Sequence, residues 1–486
     1  MYRCVVGLLL VSALHADDLE TEVRRFVEAY AALEREAAET VSPEKAFYEG
    51  AIPGLLRRLD PHSVFFDPEQ FDQLRKIESS TQKGFGTVVS ILPGRIIVLQ
   101  TAPGTPSAKS GMTPGDEILA VNGYAIDRLE GDQIVALLTQ SRQQRAQLHV
   151  RRAGIPRVLE FTLIPEEMQA PSVERAFLLQ PGVGYLRVSS FDEKTGDEIK
   201  EAIEKLGGAK LTGLALDLRN NPGGLLPVAL QTAGLFLKPG QKLLTVRGRK
   251  VEEQDQKVAP DAVPYTFRVA VLINAKSASA SEIVAGALQD HDRATIIGEP
   301  SFGKGLVQSV FPLAESTGVA LTTALYYTPS GRSIQRPLKG ADFALSATAS
   351  HPNQQSEFRT DGGRIVKGGG GIQPDYEVYP EAASRLRAVL EASGSFTTFA
   401  IDYVRRHTAT PPDFEVTSDL LNEFQVFLSE RKIQPGVAEW SRERAFVRNR
   451  LKTEIFNQAF GVEKGDEVEA QRDPAIRKAL DVIGAK

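Results

Sequence analysis

Between Val173 and about Tyr379 the sequence alternates strand-like apolar runs with helical stretches, and this alternation restricts the available folds more than any other feature. "GVGYLRVSSF" (182–191) precedes the helical "DEKTGDEIKEAIEKLG", then the apolar run "LTGLALDL" (211–218), the turn "RNNPGG" (219–224) and the helical "LLPVALQTAGLF". "FRVAVLIN" (267–274) leads into "AKSASAS", a helix predicted from about Glu282 to Leu288, and the strand-like "RATIIGEP". That order predicts an α/β sheet whose functional groups collect at the strand-to-helix turns. Two such turns stand out, "DLRNNPGG" (Asp217 to Gly224) and "NAKSASASE" (Asn274 to Glu282).

In the second turn, Ser279 stands three residues before Glu282, the spacing of a capping box that satisfies free helix N–H groups. Capping accounts for one serine but not for the small residues at every position from Ala275 to Ala280 except Lys276. Small residues leave the helix start accessible, and an open helix N-terminus offers N–H donors and positive potential to an oxyanion beside a nucleophile. On these grounds Ser277, Ser279 and Ser281 are all candidates.

A serine nucleophile needs a base. The histidines are His15, His62, His149, His291, His351 and His407. His62 reads as a turn residue between two Asp-Pro pairs, and His291 lies past the far end of the serine helix, which argues against a Ser-His-Asp triad. Lysine serves as the base when burial lowers its pKa. "GEPSFGKGLVQSVFPL" (298–313) offers Lys304 between two glycines, with Phe302, Leu306 and Val307 as apolar cover and Gln308 four residues on. A lysine in an exposed hairpin turn is the plain alternative. The segment also approaches the phosphate-binding pattern G-x-x-x-x-G-K-[ST], but Gly305 replaces the required hydroxyl and strand, not helix, follows, which disfavours a nucleotide hydrolase.

The remaining chain adds domains around this core, as 486 residues require. A 42% hydrophobic, 24% charged composition with formal charge −5 gives no basic bias toward nucleic acid. The first 16 residues, with one Arg, an apolar run from Val5 to Leu14 and Ala16 before Asp17, have signal-peptide grammar and predict export to a periplasmic or other extracytoplasmic space, membrane-anchored if uncleaved. The only cysteine, Cys4, lies there, so a processed chain has no disulfide, thiol nucleophile or cysteine metal site. Residues 17–75 read as a helical domain. From 76 to about 168 short strands and glycine turns surround one helix, and "KGFGTVV" (83–89) with "PGDEILAVNG" (114–123) resembles a PDZ domain. There, Gly84, Phe85 and Gly86 free backbone N–H groups for a chain-terminal carboxylate, and the strand containing Val88 pairs with an extended peptide. A β-domain without a ligand is the plain alternative. Residues 381–486 read as helices whose apolar positions serve a core or a homodimer interface.

Together these blocks resemble the carboxyl-terminal processing, or tail-specific, proteases: "LDPHS" (59–63), the PDZ segments, "LDLRNNPGG", "SASASEIVAGALQD", "GEPSFGKGLVQ", "LTTALYYTPSGRSIQ" (321–335) and "GGGIQPDYEV" (369–378), in family order. The resemblance implies a multidomain α/β fold: an N-terminal helical segment, a PDZ-like β-rich domain, a ClpP/crotonase-like protease core over 169–380 and a C-terminal helical extension. It implies Ser279 as nucleophile, Lys304 as base and Gln308 as the residue positioning the lysine, with no cofactor and no metal. The oxyanion hole would use Ala280 and either Gly223 or Gly224. The PDZ-like domain would capture the free, apolar C-terminus of a protein or peptide substrate or switch the site on, with a regulatory adaptor as a further partner. A PDZ adaptor without catalysis is the alternative function.

Overall fold

The computed structural model describes residues 3–78, 81–337, 357–407 and 410–484, so His351 lies outside the described residues. Contacts divide these residues into two compact units.

The smaller unit combines the chain up to Phe71 with Gln308–Thr322. Residues Arg3–Glu36 form one helix, a π-helical turn at Lys45–Ala51 runs into the helix Ile52–Leu59, and strand Val64–Phe66 pairs antiparallel with Gly318–Ala320. Leu59 ends its helix because Asp60 adopts extended backbone and turns its carboxylate onto the N–H groups of His62 (2.7 Å) and Ser63 (2.8 Å) and the Ser63 hydroxyl (2.7 Å). "LDPHS" is thus an Asx turn with a buried carboxylate. Among the described residues, no helix is long and apolar enough to cross a membrane.

In the larger unit, the expected α/β layer is a six-stranded sheet in the order Val173–Gln180, Val183–Val188, Gly213–Asp217, Arg268–Ile273, Ala294–Gly298, Tyr376–Glu377. The first pair is antiparallel and the others parallel. One face is covered by the helices Thr195–Leu206, Leu226–Gly234 and Ala280–Asp290, whose Ile199, Ile203, Val228, Val284 and Leu288 pack on Leu186, Leu214, Leu216, Val271 and Ile296. The other face, with Phe177, Tyr185, Ala215, Leu272 and Ile297, lies under Ile476, Ala479 and Ile483 of the chain's last helix, Pro474–Gly484. Two covered faces explain why Gly213–Asp217 is buried at every position.

The PDZ-like domain carries strands Thr87–Leu92, Arg95–Thr101, Glu117–Val121, Ala146–Arg151 and Leu159–Leu163 in that order across one antiparallel sheet, with the helix Gly131–Ser141 beside it. The alternation in Ala146–Arg151 is strict, with Ala146, Leu148 and Val150 buried and Gln147, His149 and Arg151 exposed. The helices between Arg385 and Ala470 enclose their own core of Phe396, Phe399, Phe424, Trp440, Val447, Leu451 and Ile455. Most periodic apolar positions of these helices are therefore occupied within the chain, while Val389, Val426, Val437 and Phe460 stay exposed.

Candidate active site

Strand Arg268–Ile273 ends at Asn274, whose side chain turns the chain by accepting from Lys276 N–H (3.1 Å) and Asn220 N–H (2.9 Å). The three serines that follow have different environments. Ser277 is fully buried, and its hydroxyl donates to Leu218 O (2.7 Å) and accepts from Asn274 N–H (2.9 Å). Ser281 is also fully buried and donates to Asn221 O (3.0 Å). Ser279 is partly exposed and has φ +54° and ψ −114°, the left-handed half of backbone space that a serine rarely enters. Such strain persists only where the surroundings impose it, and it turns a side chain out at the start of a helix as in a nucleophile elbow.

Glu282 supplies much of that constraint. It is fully buried, and its Oε2 accepts from Ser279 N–H (2.8 Å), the reverse half of the expected capping box. Glu282 N–H donates to the Ser279 carbonyl oxygen (2.9 Å) and also faces the Ser279 side chain in the capping-box arrangement.

Oε2 of Glu282 also accepts from Lys304 N–H (2.9 Å), and Oε1 accepts from Gly303 N–H (2.7 Å) and the Ser301 hydroxyl (2.5 Å). One carboxylate oxygen therefore holds the backbones of Ser279 and Lys304 together, although neither is near the other in sequence. Phe302 N–H donates to Ser277 O (2.9 Å), closing the loop onto the serine turn from a second point. Burial pushes the Glu282 carboxyl above its ordinary pKa, against the hydrogen bonds from Ser301, Lys304, Gly303 and Ser279 that favour its charged form.

The turn "NNPGG" packs directly on the serine. A Cβ on Gly223 (φ +102°) would lie 2.8 Å from Ser279 Cβ and 2.9 Å from Ala280 N, and one on Gly224 (φ +149°) would lie 2.0 Å from Phe191 O. Neither position tolerates a side chain. The Gly223 N–H is committed to Asn221 Oδ1 (2.8 Å), whereas Asn221 O anchors Ala278 N–H (3.0 Å) and the Ser281 hydroxyl. Of the two glycines left open by sequence, Gly224 is thus the one whose N–H is not taken by the Asn221 side chain. Ala280 opens the eleven-residue helix, where N–H groups and the helix dipole converge.

Gln308 lies in the smaller unit, where its side-chain Nε2 donates to His62 O at 2.5 Å. The Asp60 turn thereby aims His62's carbonyl at the glutamine, a structural use of "LDPHS" that leaves the imidazole uninvolved in that bond. The other described histidines are placed as expected of non-catalytic residues. His291 caps the far end of the serine helix with its ring against Asp361 and Lys242 O (both 2.7 Å), His149 faces out of a PDZ strand and His407 stacks on Tyr403.

In the PDZ-like domain, Gly84 ends strand Thr81–Gly84, and Gly86 has φ +74° with the Thr105 side chain 2.3 Å from where a Cβ would be. Phe85 O and Gly86 O accept from Ser107 N–H (3.0 Å) and Ala102 N–H (2.8 Å), so the loop's carbonyls point into the domain. Strand Thr87–Leu92 is the edge of its sheet among the described residues. Phe85 and Val89 pack on the domain core, while Val88 is 43% exposed.

Sequence reasoning missed Asn221 and Tyr326 and read Glu282 only as a cap. Tyr326, fully buried, reaches both Lys304 O (2.8 Å) and Ser279 O (3.2 Å) with its hydroxyl. The Ser-x-x-Glu spacing was the one local signal for Glu282. Nothing local marks Asn221 or Tyr326.

Comparison with known proteins places these features in a family. The model of peptidase family S41 matches residues 182–342, and the PDZ domain model matches 74–151. A carboxy-terminal-processing protease of Bartonella bacilliformis is 40% identical over 305 residues, 61% of this chain and 69% of that one. A carboxyl-terminal-processing protease of Synechocystis sp. is 35% identical over 293 residues, 59% of this chain and 68% of that one. A solved photosystem II D1 C-terminal processing protease aligns at 24% identity and a TM-score of 0.40, covering 76% of this chain and 96% of that chain. The matched segments take in both the serine turn and the edge-strand module, and the chain belongs to the carboxy-terminal processing proteases of family S41, serine-type peptidases with a PDZ domain.

Proposed function

We propose that the chain is an endopeptidase in which Ser279 attacks the scissile carbonyl, Lys304 is its base, Gln308 positions the lysine, and the N–H groups of Ala280 and Gly224 receive the oxyanion. The observation that carries this reading is the serine turn. Two of its three serines are tied to buried carbonyls, and the third is strained, partly exposed and clamped to Lys304 through one carboxylate oxygen. In the first step the Ser279 Oγ proton passes to neutral Lys304 Nζ as Oγ bonds to the peptide carbon. The lysinium then protonates the departing amine, and a water deprotonated by the same lysine releases the acyl group. A lysine serves as base in its neutral form, which the reading requires of Lys304. The PDZ edge strand selects substrates by pairing with an extended C-terminal tail, its carboxylate on the N–H groups of the Gly84-Phe85-Gly86 loop.

A homodimer through the C-terminal helices would have to use residues outside their filled cores, such as the exposed Val426 and Val437. Export rests on residues 1–16, and a mature N-terminus at Asp17 would accompany it.

The test uses an unstructured reporter polypeptide with three apolar residues at its C-terminus, with and without those residues, and products identified by mass spectrometry. Wild type is expected to cleave internal bonds of the intact reporter faster than the shortened one. Ser279→Ala and Lys304→Ala are expected to lose at least about 10³-fold. Cleavage surviving Lys304→Ala rules out the dyad. Tail-dependent binding without turnover by the wild type would favour the adaptor reading instead.

A further inference from the structure

Serine and lysine on separate loops need a device that fixes their spacing, because a misplacement of about 1 Å can cost on the order of 100-fold in rate. Glu282 holds the two segments by their N–H groups. Their carbonyl sides converge on Tyr326. This residue lies on strand Gly318–Tyr327, opposite Val246 of strand Lys242–Arg247, and its own N–H donates to Gly305 O at 3.0 Å. Backbone pairing on one side and the Gly305 contact on the other fix its main chain, and the residue is 1% exposed. The hydroxyl gives its proton to Lys304 O at 2.8 Å and has Ser279 O as a longer second acceptor at 3.2 Å.

We propose that Tyr326 is a positioning residue whose hydroxyl, seated between the main-chain carbonyls of Ser279 and Lys304, sets the distance between nucleophile and base. The proposal rests on the assignment of those two roles above. A phenol suits the task because the ring fills the core as phenylalanine would, so the single oxygen carries the registering function. Burial and the neighbouring Glu282 charge push the phenol well above its ordinary pKa, so it remains a donor at any working pH. Losing that donor leaves the Lys304 carbonyl without its partner and frees the lysine segment to shift toward solvent.

Tyr326→Phe is compared with wild type, Ser279→Ala and Lys304→Ala on the same reporter polypeptide, with fold checked by near-UV circular dichroism. The expected result is a fall in kcat of about 10- to 100-fold with KM within about twofold. The ascending limb of kcat/KM against pH, which reports the base, is expected to move to higher pH as the lysine becomes better solvated. 4-Aminophenylalanine at position 326, which keeps a donor of similar reach, is expected to recover most of kcat. Should Tyr326→Phe not fold, 4-aminophenylalanine against 4-fluorophenylalanine at the same position makes the comparison with matched volume. Wild-type kcat and an unmoved pH limb in a donor-less variant, with Ser279→Ala and Lys304→Ala inactive, overturn the role of Tyr326. Turnover by Lys304→Ala overturns the dyad beneath it instead.

Discussion

Glu282 is a carboxyl with no exposed surface surrounded by four donors, and its burial outweighs them enough to raise its pKa. The sign follows from linkage. Between the ordinary carboxyl pKa of about 4.3 and the raised folded value, the native state keeps a proton that the unfolded chain has released. Stability therefore falls as pH rises through that window and is greatest below it. Glu282→Gln removes the titration and keeps one acceptor oxygen, so its melting temperature is expected to fall less than that of wild type as pH rises from the ordinary carboxyl range upward. Parallel melting curves in the two proteins would show that Glu282 titrates normally. Local sequence left Ser277, Ser279 and Ser281 open, and only the family resemblance singled out Ser279, Lys304 and Gln308 as the residues proposed for catalysis. Sequence could not reach Tyr326 or Asn221, whose partners are brought in by strand pairing and turn geometry. That the Gly223 N–H is taken up by Asn221 was closed to sequence for the same reason, since it depends on where the Asn221 side chain points.

At the level of elements, the last helix changes what the C-terminal extension is. Its amphipathic pattern was legible, but a pattern does not say which surface receives it, and the receiving surface is the protease sheet itself. Ile476, Ala479 and Ile483 lie at 2%, 0% and 6% exposure, and Gly213 is a glycine where a Cβ would meet Ile483 Cγ2 at 2.2 Å. The helix start is fixed as firmly. Asp473 accepts from Ala475 N–H (2.9 Å) and Ile476 N–H (3.0 Å) and takes Arg219 on its other oxygen (2.7 Å). Arg219 in turn grips Asp217, directly before the turn that carries Gly223 and Gly224. Each fully buried isoleucine contributes about 1.5–3 kcal/mol, and removing the helix also uncovers Phe177, Tyr185, Leu272 and Ile297 beneath it. Against a total stability of about 5–15 kcal/mol, deletion of residues 474–486 is expected to unfold the protease core. Loss of near-UV circular dichroism with gain of ANS fluorescence would register it. A folded, proteolytically active protein lacking this helix would show that the sheet face needs no cover.

At the scale of the larger unit, the C-terminal helices also seat the PDZ domain. Arg95 donates to the Thr398 hydroxyl (3.1 Å) while its Nε pairs with Glu117 (2.7 Å), and Gln100 Oε1 accepts from Val462 N–H (3.2 Å). At the centre of this contact is Gly394, φ +62°, which precedes helix Ser395–Arg406 and lets Leu92 of the PDZ edge hairpin approach so that a Cβ would lie 2.5 Å from Leu92 Cδ1. The bonds join strand Arg95–Thr101, which pairs with the edge strand proposed to bind tails, to the helical body, and Leu92 at the end of the edge strand packs at Gly394. A tail on that strand would therefore act on a seated domain, and loosening the seat should change how often the domain lifts. Gly394→Asn separates docking from helix capping, because asparagine tolerates positive φ while its side chain displaces Leu92. The paired segments Thr81–Gly84 and Glu166–Gln169 connect the PDZ domain to the core, and Lys83 among them is exposed. Local opening that becomes easier by about 1.4 kcal/mol raises the open population tenfold, so trypsin should cut the variant after Lys83 about ten times faster than wild type. An unchanged cleavage rate in a variant with intact near-UV circular dichroism would mean that Gly394 is not part of the seat and that the polar bonds of Arg95 and Gln100 hold the domain without it.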